Sequence, residues 1–536
     1  MKSKKSSVVV LTSLFLSIGL SQGLIAQENI PFTKAVHMAK YLEPSRVYAE
    51  QNKISAQKLK ELEKRTGKKP NILILIVDDM GYGDPGVYGG GAMIGAPTPN
   101  IDALANNGIL LTSTYAQPTC TPTRAAIMTG RIPARSGLTR PILTGEQPTV
   151  NPWADEVTAA AMLSKNGYIT ALSGKWHLGE QDGYWPHQVG YDEYFGILSV
   201  ASEFTQGMME RRYPDMVYNP ERMKVLDTLS HRAITAGKKG GKLESVQEIK
   251  TLDELAEIDQ KVAEYSESFI RKAVKEDKPF YLVHSFIKVH NDNFPAKAFK
   301  GKSPAKFPYK DAVIEVDDIT GRLVNLLKEL KIDENTFVFF TSDNGANEDL
   351  WPDSGYQPFK GGKGTTWEGG VRVPGIASWP GMIKSGKQSD GLFDLMDLFN
   401  TSLTIAGIEN QISPDRYIDG VDQTSFLLGD EGKSNREAVF MYSEKTFMAL
   451  RWEEYKVHMK VFDVKHPMAN LDESTILNVG MAPWIYNLYM DPKEQASTGH
   501  RYFEWGIGTA VGLIREHGNT YKDFPMKDIG LGIAGK

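Results

Sequence analysis

The chain has 536 residues, with 61 lysines and arginines against 66 aspartates and glutamates and a formal net charge of −5. This balance lacks the basic excess of a nucleic-acid-binding protein, so no nucleic-acid partner is predicted. The single cysteine, Cys120, excludes an intramolecular disulfide and a cluster of thiolate metal ligands. Burial of a large core must therefore hold the fold together, which a chain of this length can achieve.

The first 26 residues have the pattern of a secretory signal peptide. Lys2, Lys4 and Lys5 precede an apolar run from Val8 to Leu20, and small and polar residues continue to Ala26. The run is shorter than the ~20 residues of a membrane-spanning helix, and no later segment reaches that length. We expect cleavage after Ala26 and export to the periplasm or the medium, with no membrane association afterwards. The polar, helix-prone residues 27–69 predict an N-terminal helical extension.

From residue 70 to residue 434 the pattern alternates between strand and helix. Continuous apolar runs predict strands buried on both faces at Ile72–Val77, Ile169–Ser173, Phe280–Phe286 and Phe337–Thr341. Asp311–Leu330 has apolar residues at helical spacing. This alternation predicts an α/β domain with a large mixed, mainly parallel sheet flanked by helices. Ligands of such sheets bind beyond the carboxyl ends of the strands, so we expect each chemical motif to follow a strand directly.

The last hundred residues have a different texture, with short strand patterns separated by turns. These patterns cover Ala438–Ser443, Phe447–Arg451 and Tyr455–Phe462. They predict a smaller C-terminal α+β subdomain, residues 435–536, built on an antiparallel sheet.

Acidic residues follow two of the predicted central strands. Asp78 and Asp79 come after the first, and Asp343-Asn344 comes after the last. Adjacent like charges repel each other unless a cation neutralises them. Three carboxylates and the Asn344 carbonyl form an all-oxygen ligand set, which suits Ca²⁺ or Mg²⁺ better than zinc. Taken singly, either pair is equally well explained as a solvated loop end.

The lone cysteine lies in Cys120-Thr121-Pro122-Thr123-Arg124, followed by Ala125 to Arg131. A single cysteine is commonly a small buried hydrophobic residue, whereas an unpaired thiol in an exported protein is a liability unless it has a role. This segment resembles the signature of the type I sulfatases, which belong to the alkaline-phosphatase-like superfamily. In that family the cysteine is oxidised during synthesis to formylglycine, an aldehyde whose hydrate is the nucleophile. The resemblance therefore implies a formylglycine-generating enzyme as a partner in maturation.

Three further segments resemble the family's motifs in the same order. Lys175 and His177 lie in Gly174–Gly179 after a predicted strand, His290 follows another strand, and Lys363 lies in the glycine-rich stretch Phe359–Pro374. Taken singly, a histidine beside a tryptophan, such as His177, is more often a packed core residue. Lys363 could be a solvated lysine, but the glycines around it favour a loop that closely approaches another group. The loop after His290 departs from the family, which often has proline two residues after this histidine, and this leaves the substrate shape open.

The resemblance also implies a role for each residue. The implied metal is Ca²⁺, with Mg²⁺ less favoured, and its ligands are Asp78, Asp79, Asp343, Asn344 and the modified Cys120. Arg124 would stabilise the hydrated aldehyde, while Lys175 and Lys363 would hold the sulfate. His177 would remove a proton from the hydrate, and His290, alone or with Lys363, would assist the leaving alcohol. The three cationic side chains at one rim also suit a compact anion with several oxygens.

These motifs predict an enzyme that hydrolyses a sulfate monoester of a small molecule or an oligosaccharide and releases inorganic sulfate. One alternative is a phosphonate monoester or phosphodiester hydrolase of the same superfamily. Another, if Cys120 is unmodified, is a non-catalytic binder of sulfated glycans. Two further groups could either contact a sugar or a second acidic group or belong to the core and surface: Tyr184–His187, and the arginines Arg131, Arg135 and Arg140.

Overall fold

The structure is a computed structural model that describes residues 36–533 except residues 144, 230, 464–474, 481 and 498–501. Apart from residue 36, the described residues fall in one compact unit, residues 37–536. The predicted signal peptide lies outside the described residues. Among those described, no helix is both long and apolar enough to cross a membrane.

Strands and helices alternate along most of the chain. The strands are β1 (Val36–Ala39), β2 (Leu42–Arg46), β3 (Asn71–Val77), β4 (Ile109–Tyr115), β5 (Glu146–Pro148), β6 (Ile169–Lys175), β7 (Glu193–Ile197), β8 (Ala233–Lys238), β9 (Glu244–Glu248), β10 (Phe280–Ser285), β11 (Thr336–Ser342), β12 (Arg372–Ser378), β13 (Lys387–Ser389), β14 (Phe393–Asp394), β15 (Ala438–Ser443), β16 (Thr446–Trp452), β17 (Tyr455–His458), β18 (Lys460–Phe462), β19 (Ile476–Asn478), β20 (Trp484–Asn487) and β21 (Leu531–Ile533). The α-helices are α1 (Ala49–Thr66), α2 (Pro99–Asn106), α3 (Cys120–Thr129), α4 (Pro133–Ser136), α5 (Ala159–Lys165), α6 (Ala201–Thr205), α7 (Pro214–Val217), α8 (Pro220–Leu229), α9 (Leu252–Ala256), α10 (Ile258–Lys275), α11 (Pro308–Glu329), α12 (Glu368–Val371), α13 (Asp397–Ile405), α14 (Thr424–Leu428) and α15 (Glu504–Asp523).

Eleven of the described strands form one sheet in the order β13-β4-β12-β11-β3-β10-β6-β7-β8-β9, with β14 also paired to β4. The centre of this sheet, from β11 to β7, is parallel. Both flanks contain antiparallel pairs. The predicted fold class, a mixed and mainly parallel sheet flanked by helices, is confirmed, and all four predicted central strands are present.

Strand β3 shows why the central strands are continuous apolar runs, since all seven of its residues are buried. Its isoleucines, from Ile72 to Ile76, pack into a core with residues of α3, α5 and α13. The alternate side chains, from Leu73 to Val77, pack into a second core with α2, α10 and α11. Because helices cover both faces of the sheet, neither face of β3 can be polar. Each large apolar side chain buried in this way contributes about 1.5–3 kcal/mol.

The terminal segments differ in part from the sequence predictions. The predicted helical extension contains α1, but two short paired strands, β1 and β2, precede this helix. At the other end, β15, β16, β17 and β20 form an antiparallel sheet. The prediction of one strand over Tyr455–Phe462 is wrong, because β17 pairs with β16 and β20 whereas β18 pairs with β19.

The register of the central strands brings their carboxyl ends together. Ser342 of β11 lies opposite Val77 of β3, and Ser285 of β10 lies opposite Ile76 of β3 and Gly174 of β6. The residues that follow these positions therefore share one edge of the sheet. The expectation that every motif directly follows a strand is wrong for Lys363, which lies in the long connection between β11 and α12.

Candidate active site

Three buried carboxylates meet at this edge. One oxygen each of Asp78, Asp79 and Asp343 lies within 4.8 Å of the others. The backbone N–H of Asp79 donates to Asp343 Oδ1 at 3.2 Å. Asn344 Nδ2 donates to Asp79 Oδ1 at 2.8 Å, so the four predicted oxygen-bearing ligands are neighbours. Asp79 has a left-handed backbone with φ of 60°, an uncommon conformation for a residue with a side chain.

The donor set fits a hard cation such as Ca²⁺. Asp78 Oδ1 and Asn344 Oδ1 are both buried, and neither accepts a hydrogen bond. A buried oxygen without a partner costs free energy that a bound cation would recover. With only carboxylate and amide oxygens converging here, the site suits Ca²⁺ or Mg²⁺ and not a thiophilic metal.

Three cationic side chains surround the carboxylates. Arg124 donates from Nε and Nη2 to Asp343 Oδ2, at 3.0 and 2.7 Å. Lys175 Nζ donates to Asp78 Oδ2 at 2.7 Å, and Lys363 Nζ donates to both oxygens of Asp79 at 2.7 and 2.8 Å. The three positive charges offset the three negative ones, which is what allows so many charges to be buried together.

Cys120 begins α3 and is buried beside the same charges. Its Sγ lies 3.1 Å from His177 Nδ1, and the hydroxyl of Thr121 donates to the His177 carbonyl at 2.7 Å. Pro122 is tolerated in the first turn, and Gly130, with φ of 67°, ends the helix. Burial raises the pKa of the Cys120 thiol, although Lys175 and Lys363 act in the opposite direction. The thiol is therefore mostly protonated, and in that form it is a poor nucleophile.

The two histidines contact different members of this group, His177 contacting Cys120 and His290 lying near Asp79. His177 Nε2 is 3.3 Å from the carbonyl oxygen of Ile142, and His290 Nε2 is 3.7 Å from Asp79 Oδ2. Burial, together with Lys175 and Arg124, lowers the pKa of His177 well below its usual value. Burial and Lys363 lower the pKa of His290 to about 3. Both imidazoles are thus neutral near pH 7.

The carboxylates differ in their affinity for protons. Burial raises the pKa of Asp78 to about 7; Lys175 opposes this shift and the neighbouring carboxylates of Asp343 and Asp79 add to it. Burial would also raise the pKa of Asp79, but Lys363 and His290 outweigh it and hold the pKa below its usual range. Burial would lower the pKa of Lys363, yet Asp79 raises it. Lys363 is consequently a cationic group paired with an ionised acid.

Two features of the site were missed by the sequence analysis. Arg124 Nη1 donates to the hydroxyl of Ser285, which in turn donates to the Lys175 carbonyl at 2.8 Å. Gly174 allows this contact, because a Cβ on it would lie 1.7 Å from the Ser285 carbonyl oxygen. Nothing in a serine within an apolar strand signals this role. Only the parallel pairing of β10 with β6 brings it next to Lys175.

The sulfatase family model matches residues 70–408, a stretch that contains all of these side chains. This chain belongs to the sulfatase family. It is a sulfuric ester hydrolase of the alkaline-phosphatase-like superfamily, as the sequence resemblance implied.

Relatives of this sulfatase are similar over most of their length. It is 36% identical over 398 residues to N-acetylgalactosamine-6-sulfatase of Canis lupus familiaris, covering 73% of this chain and 71% of the relative. It is 30% identical over 446 residues to arylsulfatase A of Homo sapiens, covering 80% and 83% respectively. The crystal structure of PsFucS1 sulfatase from Pseudoalteromonas sp. has a TM-score of 0.90 and 55% identity to this chain. That match covers 93% of this chain and 100% of the other.

Two of the three arginines considered as substrate contacts belong to the core of the sulfatase. Arg131 Nε donates to the Tyr417 carbonyl at 3.0 Å, and its guanidinium also pairs with Glu156. Arg135 is fully buried and bonds both oxygens of Asp419. Their side chains are thus committed to other protein groups. Arg140, which is more exposed, pairs with Glu146.

The aromatic stretch Tyr184–His187 also folds back on its own loop. The Tyr184 ring is buried, and the carbonyl of the same residue accepts a bond from Trp176 Nε1 at 3.0 Å. Trp185 is half-buried and stacks on His187 with a ring-centroid separation of 5.8 Å. Of this stretch, Trp185 keeps the more accessible ring.

The buried ion pair between Arg135 and Asp419 gives a stability prediction. Arg135→Leu is expected to lower the free energy of unfolding by about 3–5 kcal/mol, because Asp419 would stay buried without its charged partner. Arg140→Leu is the matched control, and we expect it to cost less than about 1 kcal/mol because its ion pair is partly exposed. Denaturant unfolding followed by tryptophan fluorescence measures both. A weaker substrate affinity of Arg135→Leu at unchanged stability would contradict the structural role.

Proposed function

We propose that this sulfatase hydrolyses sulfate monoesters of carbohydrates, using formylglycine made from Cys120 and a Ca²⁺ ion bound by Asp78, Asp79, Asp343 and Asn344. The observation that carries the proposal is the convergence of Cys120 with His177, three carboxylates and three cationic side chains at one edge of the sheet. The carbohydrate part is supported by the relative from Canis lupus familiaris, whose name specifies a sulfated amino sugar.

Formylglycine at residue 120 and a bound Ca²⁺ ion would each supply a defined chemical function. A hydrated aldehyde at residue 120 supplies two hydroxyls on one carbon, one to displace the alcohol at sulfur and one to expel the sulfate afterwards. Bound Ca²⁺ supplies positive charge that lowers the pKa of an oxygen nucleophile and offsets charge on the sulfate oxygens. An unmodified serine or cysteine would instead need water to attack the sulfated enzyme.

The cationic side chains would bind the sulfate group. The ammonium groups of Lys175 and Lys363 lie next to the carboxylates of Asp78 and Asp79. A sulfate bound beside residue 120 would contact both ammonium groups. Arg124 is fixed from one side by Asp343 and from another by Ser285, so its guanidinium keeps its orientation without help from the substrate. Donors fixed before the reaction stabilise developing charge more effectively than mobile ones.

Proton transfer can be divided between two groups. His177 is neutral, and its Nδ1 faces the side chain of residue 120, so it can remove a proton from a hydroxyl there. We assign assistance of the leaving alcohol to His290 and Lys363, whose side chains both lie beside Asp79. The reaction consumes one water and gives the free alcohol, sulfate and a proton.

A substrate panel tests this proposal. We expect the purified enzyme to release sulfate from sulfated sugars with a higher kcat/KM than from nitrophenyl sulfate. Hydrolysis of a phosphate diester should be far slower than either. Rapid cleavage of the diester would instead favour the phosphonate monoester and phosphodiester hydrolase alternative. Activity on the aryl sulfate with none on any sulfated sugar would contradict the carbohydrate assignment.

We also propose that the enzyme is exported. Fractionation of the producing cells measures the share of sulfatase activity that lies outside the cytoplasm.

A further inference from the structure

Glu494, in the turn after β20, is a buried carboxylate far along the chain from the motifs of the site. Its side chain is fully buried, and its Oε2 accepts the backbone N–H of Glu368 at 2.7 Å. Its Oε1 accepts a bond from His458 Nε2 at 2.6 Å and lies 3.3 Å from Lys456 Nζ. Its backbone carbonyl accepts Lys360 Nζ at 3.1 Å. This one residue of the C-terminal subdomain thus contacts both ends of the segment Lys360–Glu368.

Charges around Glu494 are balanced inside the protein. Lys456 Nζ bonds Glu368 Oε1 at 2.9 Å, and the Glu368 carboxylate also accepts the hydroxyl of Tyr115 at 3.0 Å. Burial would raise the pKa of Glu368, but Lys456 and Arg372 lower it to about 2. Burial lowers the pKa of His458, so its imidazole is neutral and donates to Glu494 through Nε2. Both carboxylates of this network are paired with buried donors, and loss of one member leaves the others unpaired.

The segment that Glu494 contacts at both ends, Lys360–Glu368, is the loop that carries Lys363. The two ends of this loop form its neck, which is closed by a hydrogen bond from the Gly369 N–H to the Lys360 carbonyl at 2.8 Å. Gly369 fits there because a Cβ would lie 1.9 Å from the Gly361 carbonyl oxygen. At the tip, the Lys363 N–H donates to the Ala346 carbonyl at 2.8 Å. The tip is therefore held by the catalytic domain, and the neck by the C-terminal subdomain.

We propose that Glu494 is a positioning residue, which fixes the neck of this loop and thereby places Lys363 against Asp79. The inference rests on the role that the proposed function gives to Lys363. It assigns the C-terminal subdomain a part in the reaction, through a carboxylate that touches neither the substrate nor the metal ligands. A displacement of about 1 Å at a catalytic group can cost roughly a hundredfold in rate, so a small movement of the neck is sufficient.

The test compares two carboxylate-to-amide changes in the same subdomain. In Glu494→Gln an amide N–H must face either the Glu368 N–H or the donors of His458 and Lys456, since one oxygen cannot accept from both sides. We expect kcat/KM for nitrophenyl sulfate to fall roughly a hundredfold. Glu437→Gln is the control, because Glu437 is buried just before β15 and has no described contact with the loop. We expect it to keep kcat/KM within about twofold of the parent enzyme.

A double-variant cycle separates positioning from general destabilisation. If Glu494 acts through Lys363, adding Glu494→Gln to Lys363→Ala should change kcat/KM by less than about twofold. A purely structural defect would lower the activity equally in both backgrounds and would overturn the proposal. If Glu494→Gln does not fold, Lys360→Met provides the same comparison. This substitution removes the hydrogen bond from Lys360 Nζ to the Glu494 carbonyl at a partly exposed position. Full activity of Lys363→Ala would overturn the proposed role of Lys363 and this inference with it. A loss in Lys363→Ala without a loss in either neck variant would overturn this inference alone.

Discussion

Replacement of Cys120 by alanine is expected to abolish turnover, with a fall in kcat/KM of at least about 10⁴-fold. Alanine carries no group that can be oxidised to an aldehyde, so the nucleophile would be lost while the charges of Arg124, Lys175 and Lys363 stay in place. The measurement is initial-rate kinetics of sulfate release with the purified variant. Binding of a sulfated sugar should survive, because the cationic groups that we propose to bind sulfate are unchanged.

Thr129→Ala provides the control for this variant. Thr129 is buried near the end of the same helix, and its hydroxyl bonds only the Ala125 carbonyl among the described contacts, at 2.8 Å. We expect this variant to be somewhat less stable and fully active, since the substitution lies about two and a half turns from Cys120. Activity of Cys120→Ala within tenfold of the parent enzyme would contradict the assignment of the nucleophile.

Removal of the metal is expected to have the second-largest effect. Dialysis against a Ca²⁺ chelator should lower kcat/KM by about 10³-fold or more, because the charge that activates the nucleophile and neutralises the sulfate would be lost. Added Ca²⁺ should restore the activity, and Mg²⁺ should restore less because it requires a smaller, more regular shell of oxygens. Asp343→Asn should lose the ion and the activity together.

The matched control is Asp317→Asn, which alters another buried carboxylate. Asp317 accepts the backbone N–H groups of Asn100 and Ile101 at the start of α2 and has no described contact with the site. We expect this variant to be less stable but to keep its metal and its kcat/KM. Elemental analysis should find one Ca²⁺ per chain in the parent and in Asp317→Asn. Full activity of a parent enzyme shown to be metal-free would contradict the proposed cation site.

The sequence predicted the class of enzyme better than the way in which the candidate site is built. The central strands are continuous apolar runs, and parallel pairing brings together the pairs that follow β3 and β11, Asp78-Asp79 and Asp343-Asn344, so their proximity could be inferred. Strand β4, which leads to Cys120, was not predicted, because its Thr114 and Ser113 interrupt the apolar pattern even though both are buried. Burial of polar residues depends on partners from other strands, which the local sequence does not show.

Long-range pairing was also beyond the reach of the sequence. Arg131 and Arg135 could equally have been substrate contacts, and only their bonds to Tyr417 and Asp419 show that they belong to the core. Glu494 lies beyond the predicted strands of the C-terminal segment, and nothing in the local sequence indicates a contact with Glu368. In each case the deciding partner is more than a hundred residues away.

The most direct test is the mass of the tryptic peptide that contains residue 120, from enzyme purified out of cells in which it is active. With the side chain present as an aldehyde, that peptide has lost one sulfur and two hydrogen atoms and gained one oxygen, and a carbonyl-reactive aminooxy probe labels it as an oxime with loss of water. We predict that the aldehyde form is present and that its fraction tracks specific activity between preparations. A fully active preparation in which every copy of Cys120 is an intact thiol would contradict the account.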